Sequence, residues 1–354
     1  MDAPPGLFVI SLDFELHWGV CDKRTVDEYR ENLLGVRDAV PAMLALFERH
    51  GIHATWATVG FLFFDRREAL LAAVPSHLPT YAVPGLSCYD ILDTVGDDEA
   101  TDPYHFGRGL LEQIRATPHQ EIATHTFSHY YCLERGQTID QFRADLRAAG
   151  AAARTLGVEL TSIVFPRNQV SLPHLAVCAE FGIHTYRGNE GSWYHRPAIR
   201  EGVNLHRRAM RLIDTYLNVG GRHAVARSEV VERDFVNVRA SQFLRPYSRR
   251  LRHLEPLKRR RITSAMTHAA KRGLIYHLWW HPHNFGRYLD ENLQGLTAIL
   301  EHFSLLAARH GMRSVSMSEI ASEMRAPAGR QASNVGLPAG GWSLAEPSSD
   351  SAPA

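Results

Sequence analysis

Short apolar, β-rich runs alternate along this chain with stretches of helical periodicity. No other feature constrains the fold as much. Strands joined through helices run parallel and need cover on both faces. The runs fall at 8–12, 52–59, 121–124, 161–165, 183–186, 275–280 and 313–316. Helices are expected between and after them at 38–49, 67–74, 172–181, 291–310 and 317–324. Pro41 is placed in the first turn of the first helix. Thr138 and Gln141 form a capping-box pattern ahead of Phe142, Leu146, Ala149, Ala153 and Leu156, spaced as one helical face. Several runs end on, or just before, a polar residue: Asp13, Glu15, His125, Arg167 and His281. Convergence of polar groups from several strand ends favours a (β/α) barrel over an open sheet.

His125 and His129 stand four residues apart, a spacing that on a helical turn points two imidazoles the same way. Asp13 and Glu15 share one face if the first strand continues through them. Two imidazoles and one carboxylate are a common protein share of an open catalytic metal site. The second carboxylate is then left for proton chemistry.

The chain has 354 residues with a net charge of +1, so no overall field favours nucleic acid as a partner. Its four cysteines, Cys21, Cys88, Cys132 and Cys178, form no Cys-x-x-Cys pair. This speaks against a disulfide framework and for a reducing, cytoplasmic setting. No apolar stretch is long enough to span a bilayer, and the N-terminal apolar run is too short for a signal peptide.

Residues 75–109 are rich in proline, glycine and acids and are expected to form a long insertion loop, functional or mobile. Residues 245–261 carry seven arginines and Lys258. The bland reading is a solvated helix face. The alternatives are peripheral contact with an anionic membrane or with the phosphates of a nucleotide- or lipid-linked sugar. From about residue 327 the composition of Ala, Gly, Pro and Ser points to disorder.

Several motifs, in order, resemble those of the polysaccharide deacetylase (NodB-homology) family. They are Ser11-Leu-Asp-Phe-Glu15, Ala54-Thr-Trp-Ala-Thr-Val-Gly60, His125-Thr-Phe-Ser-His129, Phe165-Pro-Arg-Asn-Gln169 and Leu278-Trp-Trp-His-Pro282. The resemblance covers residues 8–324, with 75–109 and 189–272 poorly matched. Two departures stand out: Phe14 separates the acids, and Pro166 precedes Arg167, which leaves the family's backbone oxyanion donor unplaced.

The resemblance implies a distorted, mostly parallel (β/α) barrel over 1–324, with insertions near 75–109 and 189–272, and a disordered tail at 325–354. It implies one divalent ion, Zn or else Co, Mn or Fe, held by Glu15, His125 and His129. Asp13 would be the general base, Arg167 its partner, and His281 the general acid, in competition with His277 and His283. Trp18, Trp280 and His283 are candidate substrate contacts. The implied reaction is removal of an N-acetyl group from an amino sugar of a polysaccharide or its precursor. The rivals are hydrolysis of another amide, such as a formamide or ureide, and a non-catalytic sugar-binding module. Oligomeric state is not legible.

Overall fold

The computed structural model describes residues 4–199 and 205–325. The expected disordered tail therefore lies, but for its first residue, outside the described residues. The strands are β1 Leu7–Phe14, β2 Ala54–Thr58, β3 Gln120–Thr124, β4 Ser162–Ile163, β5 Thr185–Tyr186, β6 Val231–Glu232, β7 Phe235–Asn237, β8 Gln242–Phe243, β9 Ile275–Trp280 and β10 Arg313–Ser314. The helices are α1 Val26–His50, α2 Arg67–Ala72, α3 Arg108–Ala116, α4 Ile139–Arg154, α5 Leu172–Glu180, α6 Leu205–Tyr216, α7 Glu255–Arg272, α8 His283–Gly286, α9 Leu289–His310 and α10 Met317–Arg325.

Strand order is β6-β7-β5-β4-β3-β2-β1-β9-β8, with β10 beside the start of β1. Every named strand pair among the described residues is parallel except the hairpin β6–β7. The sheet curls into the expected distorted barrel, and one extended stretch shuts it. Residues 235–243 pair with β5 at their start and with β9 at their end. Within that stretch the Val238 and Ala240 amides donate to Tyr186 and Gly188, and the Ser241 amide then donates to His277.

Strand parity sorts the side chains. Leu7 and Val9 of β1 pack inside the barrel with Ala57, Val164, Val236, Val238 and Ile275, where α10 adds Met317 and Ile320. Phe8, Ile10, Leu12 and Phe14 face outward into the larger core under the helices. Continuing the inward row by twos gives Ser11, Asp13 and Glu15.

Helix α1 is longer than expected. A capping box of Thr25 and Glu28 starts it, and αL Gly51 stops it. Pro41 therefore sits in the helix interior instead of the first turn, where it leaves the Arg37 carbonyl without an intrahelical donor. The acidic and basic residues of the first two turns hid this start. The 75–109 stretch is irregular, with a short 3-10 turn at Cys88–Thr94, but it is packed: Leu86, Cys88, Leu92, Val95 and Phe106 are buried. Residues 189–272 hold α6, α7 and the closing stretch.

The basic run is not a uniform solvated face. Lys258 and Arg261 are buried, and they pair with Glu255 and Asp214. No helix among the described residues is long and apolar enough to cross a membrane.

Candidate metal centre and active-site pocket

The C-terminal ends of β1, β3, β5 and β9 meet at one mouth of the barrel. Glu15 leaves the strand conformation (φ −136°, ψ −14°) just after β1, yet its carboxylate stays on the same side as that of Asp13. The His281 ring lies 3.7 Å from Asp13 and 3.5 Å from Glu15.

Glu15, His125 and His129 form a buried cluster whose donor atoms lie within 4.8 Å of one another. The Nε2 atoms of His125 and His129 stand 3.2 and 3.1 Å from one Glu15 oxygen. The His pair converges through an irregular turn, not the helical turn expected from its spacing. Thr126 and His129 both adopt positive φ, 65° and 58°. Leu16, Arg167 and Asn168 do the same nearby. Non-glycine residues held there store strain, a pattern that clusters at functional sites.

The donor set fits a cation. Nδ1 of His125 is 2.8 Å from the Val164 carbonyl oxygen, which can only accept. That nitrogen therefore carries a hydrogen, and on a neutral ring Nε2 presents a bare lone pair to a carboxylate oxygen. Only a proton or a metal ion between them removes the repulsion. Burial pushes His129 down to about 4, so its ring is neutral near pH 7, as a ligand must be. Burial alone would raise the Glu15 carboxyl, but His281, His125 and His129 hold it well below its ordinary value.

Asp13 is held by Arg187, a residue the sequence reading did not select. The two guanidinium nitrogens donate to its two oxygens at 2.7 and 2.8 Å. Arg187 is fully buried, also donates to Ser11 and to Asn168, and lies 4.1 Å from the Trp279 ring. Burial pushes the Asp13 carboxyl up, but Arg187, His125 and His281 together set it below its ordinary value. Arg167, expected in this role, instead pairs with Asp22 and Glu134 and covers the Tyr131 ring. Arg187 follows β5 as Asp13 sits near the end of β1, so a strand-end signal was available in the sequence.

Of the three late histidines, His281 lines the pocket. His277 is enclosed inside the barrel, bonded to Val238 and Ser11, and burial lowers it to about 3. His283 is buried behind His281, stacked on it at 5.1 Å and 4.0 Å from Glu15, and so does not form pocket wall.

The two tryptophans expected against substrate are core residues. Trp280 points outward into the helix layer against Phe47 and Phe285. Trp18 is buried against Phe61, and its indole N–H donates to the His105 carbonyl. Trp279, of opposite parity to Trp280, lines the pocket.

The 75–109 stretch buttresses this end of the barrel. Its His105 binds the His17 ring at 2.9 Å and is itself held by Asp102 at 2.8 Å. On the other side, Asp145 of α4 accepts from the Phe127 and Ser128 amides at 2.7 and 3.1 Å, and so fixes the turn between the two histidines.

The pocket has a volume of about 510 Å³. Its floor is Asp13, Glu15, His125, His129 and His281. Its walls include Trp279, Phe243, Glu190, His195, Asp214 and several arginines.

No family model matches the chain, and no curated protein does. Solved structures do. A Mycobacterium smegmatis protein, provisionally named a polysaccharide deacetylase, superposes with a TM-score of 0.54 at 15% identity, covering 95% of this chain and 99% of its own. A 4-α-glucanotransferase from Thermococcus litoralis gives 0.51 at 12% identity, over 91% of this chain and 41% of its own. The mostly parallel distorted barrel described above is thus the polysaccharide deacetylase (NodB-like) fold.

Proposed function

We propose that this protein is a metal-dependent hydrolase that removes an N-acetyl group from an amino sugar. The observation that carries the reading is the triad of Glu15, His125 and His129 beside an arginine-clamped Asp13 at the floor of one pocket. Glu15, His125 and His129 would hold one divalent cation, and two imidazoles with a carboxylate suit zinc, with cobalt, manganese and iron as competitors. Such an ion, when bound, supplies carbonyl polarisation and acidifies water.

The protein's own groups divide the remaining work. Asp13, kept ionised by Arg187, accepts the proton of the attacking water. His281 donates a proton to the leaving nitrogen as the C–N bond breaks and the new C–O bond completes acetate. Trp279 offers a flat face to the sugar ring, and Arg187 beneath it fixes that face. Trp18, Trp280 and His283 act by shaping the core behind these groups. The fold by itself does not choose the chemistry, since a glucanotransferase shares it. Here Asp13 is tied to an arginine and Glu15 to two imidazoles, which leaves neither carboxyl free as the protonated acid that glycosyl transfer needs. Four free cysteines agree with a reducing, cytoplasmic setting.

Metal analysis combined with acetate release from N-acetylhexosamine substrates tests the reading. Asp13→Asn should keep the metal and lose turnover, whereas His129→Ala should lose both. Normal turnover by Asp13→Asn removes Asp13 from the base role. Release of formate or ring-opened ureide in place of acetate moves the same site to another amide. Sugar binding in a protein that holds no metal leaves only a binding module.

A further inference from the structure

The pocket is also lined by Arg196, Arg208, Arg211 and Arg245. None of the four makes an ion pair among the described residues. Elsewhere the protein treats arginine differently. Arg37, Arg143, Arg167, Arg187, Arg239 and Arg261 each grip a carboxylate. Of the wall arginines, Arg211 bonds only the Tyr194 carbonyl through Nε. Its charge is opposed by burial and by Arg207 and Arg208, and favoured by Glu190. The acids on the same wall are already engaged: Asp214 by Arg261, Glu190 by Trp279 and His195. Four guanidiniums without an ion pair thus line one cavity, with Glu190 the acid that acts on Arg211, and such a gathering of positive charge attracts an anion. Planar forks of this kind match phosphate oxygens in pairs.

We propose that Arg196, Arg208, Arg211 and Arg245 form an anion subsite, in the same pocket as the metal centre, for a phosphate or diphosphate group attached to the sugar. The proposal rests on the reading of the pocket as a sugar N-deacetylase site and specifies its substrate as phosphorylated. The phosphate could belong to a nucleotide or to a lipid carrier, and both present the same oxygens to the same guanidiniums.

Calorimetric titration of the full-length protein with inorganic pyrophosphate tests this. One site per chain is expected, weakening as salt rises. Arg208→Gln and Arg245→Gln should each reduce affinity about tenfold, the effect of one charge-assisted contact. Arg208 is exposed and its replacement does not disturb the core. Binding must survive His129→Ala, which separates the subsite from any phosphate that sits on the metal. Absence of binding, or unchanged affinity in the double variant, overturns the proposal.

Uridine diphosphate and a short prenyl diphosphate then name the source. Whichever binds more tightly than pyrophosphate identifies it, and weaker binding of both overturns the assignment to a substrate group. Failure of acetate release with pyrophosphate binding intact sinks only the deacetylase reading. Acetate release from neutral sugars without pyrophosphate binding sinks only the subsite.

Discussion

Arg187, fully buried, clamps Asp13 at the pocket floor through two parallel hydrogen bonds, 2.7 and 2.8 Å long. Removing one partner of such a pair strands a buried charge and typically costs about 3–5 kcal/mol. Arg187→Met should therefore destabilise the fold by roughly that amount in denaturant titration, and turnover should fall by orders of magnitude. Arg167→Met, which breaks pairs with Asp22 and Glu134 and not with Asp13, should leave more activity. The reverse ranking of the two variants would restore Arg167 to the role beside Asp13.

Gly19 presses against the Glu15 side chain. A Cβ built there would lie 1.9 Å from the carboxyl carbon. Gly19→Ala must push Glu15 away from His125 and His129, so the purified variant should hold far less metal than the wild-type protein while its far-UV circular dichroism stays unchanged. Full metal content in that variant would mean Glu15 is not a ligand.

The two adjacent tryptophans of β9 should separate cleanly. Trp280 is wholly buried among Phe47 and Phe285, and Trp280→Ala should cost about 3–5 kcal/mol of stability. Trp279 lines the pocket, so Trp279→Ala should raise KM with a smaller loss of stability. Thermal melts and steady-state kinetics on both variants check the contrast.

Asp145 gives the fold a pH dependence. Burial drives its carboxyl from 3.8 to about 6, although the Ser128 hydroxyl and the Phe127 and Ser128 amides pull the other way. The folded state thus binds a proton that the unfolded chain has released between those values. Stability should decline as pH rises from about 4 to about 6, by an amount on the order of 2–3 kcal/mol, and stay level above that. Asp145→Asn should abolish this slope in urea titrations across the window. A slope that persists would assign it to another group.

Much of this architecture was legible because strand parity and turn chemistry are local. The Thr138 capping box opens α4 as read, and the strand ends bring Asp13, Glu15, His125 and His281 together as the alternation suggested. Parity also carried information that the sequence reading left unused. In β9, His277, Trp279 and His281 face inward, so Trp280 had to face the helices. Arg187 was missed although it directly follows an expected strand, because a motif match drew attention to Arg167. The turn from His125 to His129 was beyond reach, since its shape depends on Asp145, a residue of the next helix. The partner of Arg261 likewise is a tertiary neighbour, Asp214, that spacing in a basic run does not reveal, whereas Lys258 pairs locally with Glu255.

Residues 235–243 belong first to one edge of the sheet and then to the other, and they run on through Phe243 toward Arg245 at the pocket wall. The latch of the barrel is thus part of the cradle. A guest drawn against Phe243 and Arg245 also fastens the ring, so saturating ligand should protect these amides from hydrogen exchange. Substitutions that slacken the latch should blunt recognition long before they melt the remainder of the protein.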